Sequence, residues 1–211
     1  MSRTAIHDRD VSVDRAVRLF WERGWHATSL KDIQRVLDMR PGSIYAAFGS
    51  KAGLFEAALD RYSQEMSDEF ATVVAAAGGP LEGVRSYLRE VARACAGAGP
   101  DGRWPTPGCM LVKTMLELGD EDAELRARAE RVLAAVEDHL TALLRQARER
   151  GDLVPEARPR RLARLIQAQI MGLRAFARRR VPGRALTELG EDMGRVLDPW
   201  LAVPAQAGTN V

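Results

Sequence analysis

A chain of 211 residues with 46% hydrophobic and 28% charged side chains is long enough for one large or two small domains and can support a real core. No apolar run approaches the roughly twenty residues of a membrane-spanning helix, and the polar start MSRTAIHDRD does not read as a secretory signal, so a cytoplasmic location is expected. The net charge is +2 and uneven: residues 1–51 hold nine Lys and Arg against six Asp and Glu, whereas the remainder is near neutral, as suits a basic head on a larger body. Two cysteines, Cys95 and Cys109, are too few for a disulfide scaffold, and no Cys/His cluster has zinc-ligand spacing, so neither metal nor cofactor is expected.

Residues 1–9 read as a flexible arm whose Arg3 and Arg9 either reach a groove or phosphate or do nothing. The first helix is expected from Val11 to Arg23, with Val13, Ala16, Val17 and Phe20 inward and Gly24 ending it. Trp25 then closes a small core, and Trp21 either does the same or shields an edge. From Thr28 to Lys51 the chain reads as two short helices around a tight turn. Ser29 and Asp32 form a capping box, and Leu30, Ile33, Val36 and Leu37 share one face. Asp38 occupies the turn, where a left-handed backbone is needed, and Pro41 suits the first position of the second helix. Ile44 and Phe48 bury that helix, which leaves Arg40, Ser43, Tyr45 and Ala46 pointing outward. An outward face of small, hydroxyl and cationic residues at a helix start suits a DNA groove.

The stretches ATSLKDI and GSIYAAFGSKAGLF, preceded by FWERGW, resemble the helix-turn-helix of the TetR/AcrR family of bacterial transcriptional regulators. The resemblance implies phosphate contacts from Tyr45, Lys51 and the helix start at Thr28 and Ser29. It places Arg40, Pro41, Gly42, Ser43 and Ala46 near base edges. Asp38 stands where the family commonly has Gly, and Gln34 where it commonly has Ala.

A long helix from Ser50 to about Ala77 carries Phe55, Ala58, Leu59, Tyr62, Met66, Phe70, Val73 and Val74 at spacings of three and four. Ser50 is its N-cap, and Gly53 stands where a capping-box Glu would help. A helix over Leu81–Ala96 follows, then a Gly- and Pro-rich loop, 96–108, whose Trp104 either plugs a cavity or pins the loop. Residues 108–119 read as a short buried helix dominated by Cys109, Leu111, Val112, Met115 and Leu116. Its Gly-Cys start and Glu117 resemble the ligand-domain signature of one TetR/AcrR subgroup. Cys109 is therefore either a sensor nucleophile, activated by the helix start and Lys113, or a small buried hydrophobe; for Cys95 the second reading holds. Helices over Asp120–Arg150 and Pro159–Arg180 follow. His139 flanks the stripe of the first. Leu162, Leu165, Ile166, Gln169, Ile170, Leu173 and Phe176 are the buried side of the second, where Gln167 and Gln169 either read a ligand or bond across an interface. A last helix covers Ala185–Leu201.

The expected fold is all-α: a three-helix DNA-binding domain with a helix-turn-helix over 1–51, a helical effector-binding and dimerisation domain over 52–203, and a disordered tail over 204–211. The expected function is sequence-specific regulation of transcription, as a repressor released from a palindromic double-stranded DNA operator by a small-molecule effector. The effector pocket is expected from Tyr62, Met66, Tyr87, Trp104, Cys109, Met115 and Gln167. The resemblance implies a homodimer joined through the last two helices. Alternatives are a sensor of electrophiles or oxidants through Cys109 and a non-specific architectural DNA binder. An enzyme is not expected: no phosphate loop or nucleophile elbow appears, and a Cys109–His139 pair lacks an orienting third group.

Overall fold

The computed structural model describes residues 3–97, 108–179 and 181–202, and among them nine α-helices and no named β-strand. The helices are α1 Arg3–Arg23, α2 Leu30–Leu37, α3 Pro41–Phe48, α4 Lys51–Ala75, α5 Pro80–Cys95, α6 Met110–Glu117, α7 Ala123–Glu149, α8 Pro159–Phe176 and α9 Gly183–Arg195. A single antiparallel bridge, Leu153 to Leu201, ties the segment after α9 to the turn after α7.

Local chemistry accounts for most boundaries. Gly24, at φ +86°, ends α1 in the left-handed region. The Ser29 and Asp32 capping box is formed, Asp38 sits at φ 54°, and Pro41 opens α3. Ser50 caps α4 by accepting the Gly53 N–H at 3.0 Å. Gly53 is where it is for a steric reason that outweighs the missing capping box: a Cβ there would overlap the carbonyl oxygen of Phe48. The expected arm is a correction, because α1 already begins at Arg3 and residues 3–9 are helical. Arg9 places its guanidinium 5.2 Å from the centre of the Phe48 ring. Trp104 and the expected tail, 204–211, lie outside the described residues.

Two apolar clusters hold the molecule together. The first joins α1 to α4, through Phe20, Ile33, Ile44, Phe55 and Leu59, and continues into Leu111 of α6 and Leu125 of α7. Phe20 meets Phe55 edge-on at 4.8 Å and Trp21 meets Tyr62 at 4.9 Å. The second cluster packs α5, the later half of α7, α8 and α9, with Leu88, Leu144, Ile166 and Leu186 at its centre. Gly190 of α9 lies so close to α5 that a Cβ would overlap that of Ala92. On α6, Leu116 is 81% exposed rather than buried, and on α8, Leu165 is exposed. The α8 stripe instead runs Leu162, Ile166, Ile170 and Arg174, which places a cation in the interior.

Candidate DNA-binding face and effector cavity

The head presents one unencumbered surface. Arg40, Pro41, Gly42, Ser43, Tyr45 and Ala46 are all exposed around the N-terminal turns of α3, with Tyr45 at 50%. Nothing lies within 4 Å of a Cβ built on Gly42. Arg40 is the N-cap residue of α3 and makes no side-chain cap bond, so the first N–H groups of the helix are not capped by its side chain.

Three other candidates are already engaged. Ser29 is exposed, and its hydroxyl donates to Asp32 Oδ2 at 2.6 Å. That bond, with the one from the Ser29 backbone N–H, holds the Asp32 carboxyl below its ordinary range, as do Arg23 and Arg35. Thr28 is buried, and its hydroxyl donates to Gly24 O at 2.6 Å. It supports the turn. The Lys51 ammonium donates to Trp25 O at 2.7 Å and lies 4.1 Å from the Trp25 ring centre, where burial pushes its pKa down.

The turn after α1 is gripped from the body. The Trp25 N–H donates to Glu117 Oε2 at 2.7 Å, the Trp25 indole N–H to Asp122 Oδ1 at 3.0 Å, and His26 Nε2 lies 3.0 Å from Glu117 O. Lys113 is turned away from Cys109 to cap α1, donating to Glu22 O at 2.8 Å. That placement does not support the alternative in which Lys113 assists a reactive Cys109.

In the body, α4, α5 and α7 line a partly open cavity of about 340 Å³. Met66 and Phe70 of α4, Tyr87 of α5, and Val132, Val136 and His139 of α7 supply much of its wall. Phe70 stands edge-on to Tyr87 at 4.7 Å and stacks on His139 at 6.2 Å. Of the seven expected pocket residues, Met66 and Tyr87 line this cavity. Tyr62 and Cys109 lie beside it in a buried chain: Arg174 Nη1 donates to Tyr62 Oη at 3.3 Å, and Tyr62 Oη donates to Cys109 Sγ at 3.3 Å. Gln167 donates to Leu133 O at 2.7 Å, joining α8 to α7, and Met115 packs against the first cluster. Phe70, Val132, Val136 and His139 were missed as pocket residues, as was Arg174 as a buried cation. The signal for Arg174 was present, since it continues the i, i+4 row of Leu162, Ile166 and Ile170.

Residues 13–58 match the family model for the bacterial regulatory proteins of the tetR family, and residues 88–188 match the tetracyclin repressor-like C-terminal domain. A cysteine mutant of the TetR family transcriptional regulator CifR, solved with 26-base-pair double-strand operator DNA, is 30% identical, with a TM-score of 0.80 over 89% of this chain and 95% of that one. The chain belongs to the TetR family. The HTH-type transcriptional repressor ComR of Escherichia coli K12 is 28% identical over 94% of this chain and 91% of its own. A TetR regulator from Chloroflexus aurantiacus is 26% identical, with a TM-score of 0.83 over 95% of this chain and 98% of that one. The protein is thus a DNA-binding transcriptional regulator of all-α fold, and its family is one of regulators rather than enzymes. Among the described residues no helix is long and apolar enough to cross a membrane.

Proposed function

We propose that the protein is a repressor that leaves a palindromic operator when a small organic effector fills the cavity between α4, α5 and α7. One observation carries this reading. Helix α4 supplies Phe55 to the core of the head and Met66 and Phe70 to the cavity wall, so a change at the wall bears on the helix that positions the head. Helix α6 is a second link, with Cys109 before its first turn beside Tyr62 and Glu117 in its last turn gripping Trp25.

On DNA, Arg40, Pro41, Gly42, Ser43 and Ala46 lie against base edges, and Tyr45, Ser29 and Lys51 against phosphates. Thr28 holds the turn from inside. The protein acts as a C2 homodimer through α8 and α9, where exposed Leu165 and Leu189 mark the apolar surface a partner copy would cover. The two heads then meet half-sites about 34–36 Å apart, or multiples of that distance. The effector works by population shift, binding the released arrangement of heads better than the operator-bound one.

The test is fluorescence anisotropy on the palindrome flanking the protein's own gene. Affinity is expected to fall steeply with salt. Salt-independent binding, or equal binding to random duplex, overturns the reading; the latter outcome is that of an architectural binder.

A second reading is favoured by the buried chain Arg174, Tyr62 and Cys109, in which the thiol of Cys109 is the effector target for electrophiles. Its expected result is operator release by N-ethylmaleimide in the wild type but not in Cys109→Ser, with the adduct located on Cys109 by mass spectrometry.

A further inference from the structure

Among the described residues, Arg174 is a buried charge with no ion-paired carboxylate. It is 9% exposed, and no carboxylate among the described residues lies within ion-pair distance of it. Its Nη1 is used by the Tyr62 hydroxyl, while its Nε–H is buried and has no hydrogen-bond partner. The groups facing it from the packed elements are Tyr62 of α4, Tyr87 and Cys95 of α5, and Cys109 beside α6. Burial pushes Tyr62, Tyr87 and Cys95 up from their ordinary values, so these three stay neutral at physiological pH. A guanidinium does not lose its proton there, so it cannot escape the mismatch by neutralising itself. An unmatched interior cation is costly, and interior charges are normally paired.

The cation is not in the cavity wall itself but is joined to it by Tyr87, which hydrogen-bonds Arg174. Tyr87 is shared: one side lines the cavity, and the ring's polar end lies against Arg174. Tyr62, which accepts from Arg174, stands one helical turn before Met66, and Met66 is in the cavity wall. The α5 and α7 side of that wall is largely apolar or aromatic, with Val132, Ala135, Val136 and the His139 ring facing Phe70, while Asp60, Ser63, Gln64 and Ser67 make the rest of the α4 side polar. A compact anionic end and an apolar body would therefore find their complements next to one another.

We propose that the effector class is an organic monocarboxylate with an aromatic or aliphatic body, its carboxylate taking the vacant donor of Arg174 and its body filling the α4, α5 and α7 cavity. This rests on the effector-responsive reading above and narrows it to one chemical class. The unused Nε–H is an edge donor of the guanidinium fork, the kind of group that carboxylates engage with directional, charge-assisted bonds. Binding would supply the missing negative charge in a water-poor setting, so discrimination against a neutral analogue should be large.

The experiment compares 4-phenylbutyrate with 4-phenylbutyramide, which has nearly the same shape and no charge, by calorimetric titration into the full-length protein. Operator binding without either probe is measured first and separately. The acid is expected to bind at least about tenfold more tightly than the amide and to weaken operator binding. In Arg174→Met that preference is expected to vanish while operator binding persists, because an apolar residue of similar length removes the buried charge. Arg174→Lys, which keeps the charge but not the fork, is expected to retain a reduced preference.

Equal affinity for acid and amide, no binding of either at about millimolar concentration, or an undiminished preference in Arg174→Met overturns the assignment. Inorganic phosphate lacks the apolar body, and stabilisation by phosphate equal to that by the acid also overturns it. If Arg174→Met fails to fold, the wild-type comparison of acid with amide still decides. Loss of operator binding alone would instead refute the regulator reading and leave the anion site to be judged on the free protein.

Discussion

Replacing Gly42 with alanine separates the needs of the fold from those of the operator. A Cβ at this position meets no atom within 4 Å, and Gly42 is not among the residues with positive φ. Alanine is therefore compatible with the folded backbone, and it narrows the unfolded ensemble. The expected gain is about 0.4–1 kcal/mol, which corresponds to a rise in midpoint of about 1–4 °C for a chain of this size. The same methyl stands on the exposed face between Arg40 and Ser43, where the proposed contact brings the α3 backbone against base edges. Crowding a close-packed contact by one carbon costs about 1–3 kcal/mol, or about 5- to 150-fold in Kd for each half-site. Calorimetry and operator anisotropy at fixed salt should therefore move in opposite directions. A raised midpoint with unchanged operator affinity would refute the placement of this helix start in the groove.

Gly53→Ala should behave in the opposite way in stability, because its Cβ overlaps Phe48 O; a loss of about 1–3 kcal/mol is expected in denaturant titration, and an unchanged midpoint would contradict the close approach of α3 and α4. Glu117→Gln weakens the charge-assisted bond from the Trp25 N–H, and thermal unfolding should show a loss of about 1–2 kcal/mol. The carboxyl of Asp32 is held below its ordinary value of 3.8, mainly by the Ser29 hydroxyl and backbone N–H. A carboxyl with a depressed folded pKa stabilises above its unfolded pKa and stops doing so as pH falls through the folded one. The difference in stability between wild type and Asp32→Asn should accordingly be constant near neutrality and shrink below pH 3.8, as read from paired unfolding curves; a difference that grows on acidification would show the sign to be wrong.

The features legible in the sequence were those set by neighbours along the chain. The Ser29 and Asp32 box, Asp38 in the turn, Pro41 at the helix start and Ser50 at the cap each follow from the chemistry of three or four successive residues. The outward face of α3 followed from periodicity, because Ile44 and Phe48 fix which side is buried. The cavity was harder to read. Met66 and Tyr87 were in the expected set, but Phe70, Val132, Val136 and His139 join them only because α4 and α7 cross at that height, which no local pattern encodes. The part open to Lys113 in one of the two readings of Cys109 could not be decided for the same reason: proximity to Cys109 along α6 matters less than the carbonyls at the end of α1. Periodicity also assumed that apolar rows hold apolar residues. It therefore placed Leu165 inside and overlooked Arg174, although the row of Leu162, Ile166 and Ile170 leads straight to it.

The continuous first cluster has a practical corollary for anyone wishing to transplant the operator-reading part onto another regulator. Leu54, Phe55, Ala58 and Leu59 are each at most 1% exposed and belong to the same cluster as Phe20, Ile33 and Ile44. A fragment cut at residue 51 would leave those partners behind and expose the residues they cover, so it should collapse or aggregate rather than behave as a miniature reader. A chimera joined beyond Met66 carries the needed packing with it, and the grafted piece then also brings along one wall of the proposed effector chamber.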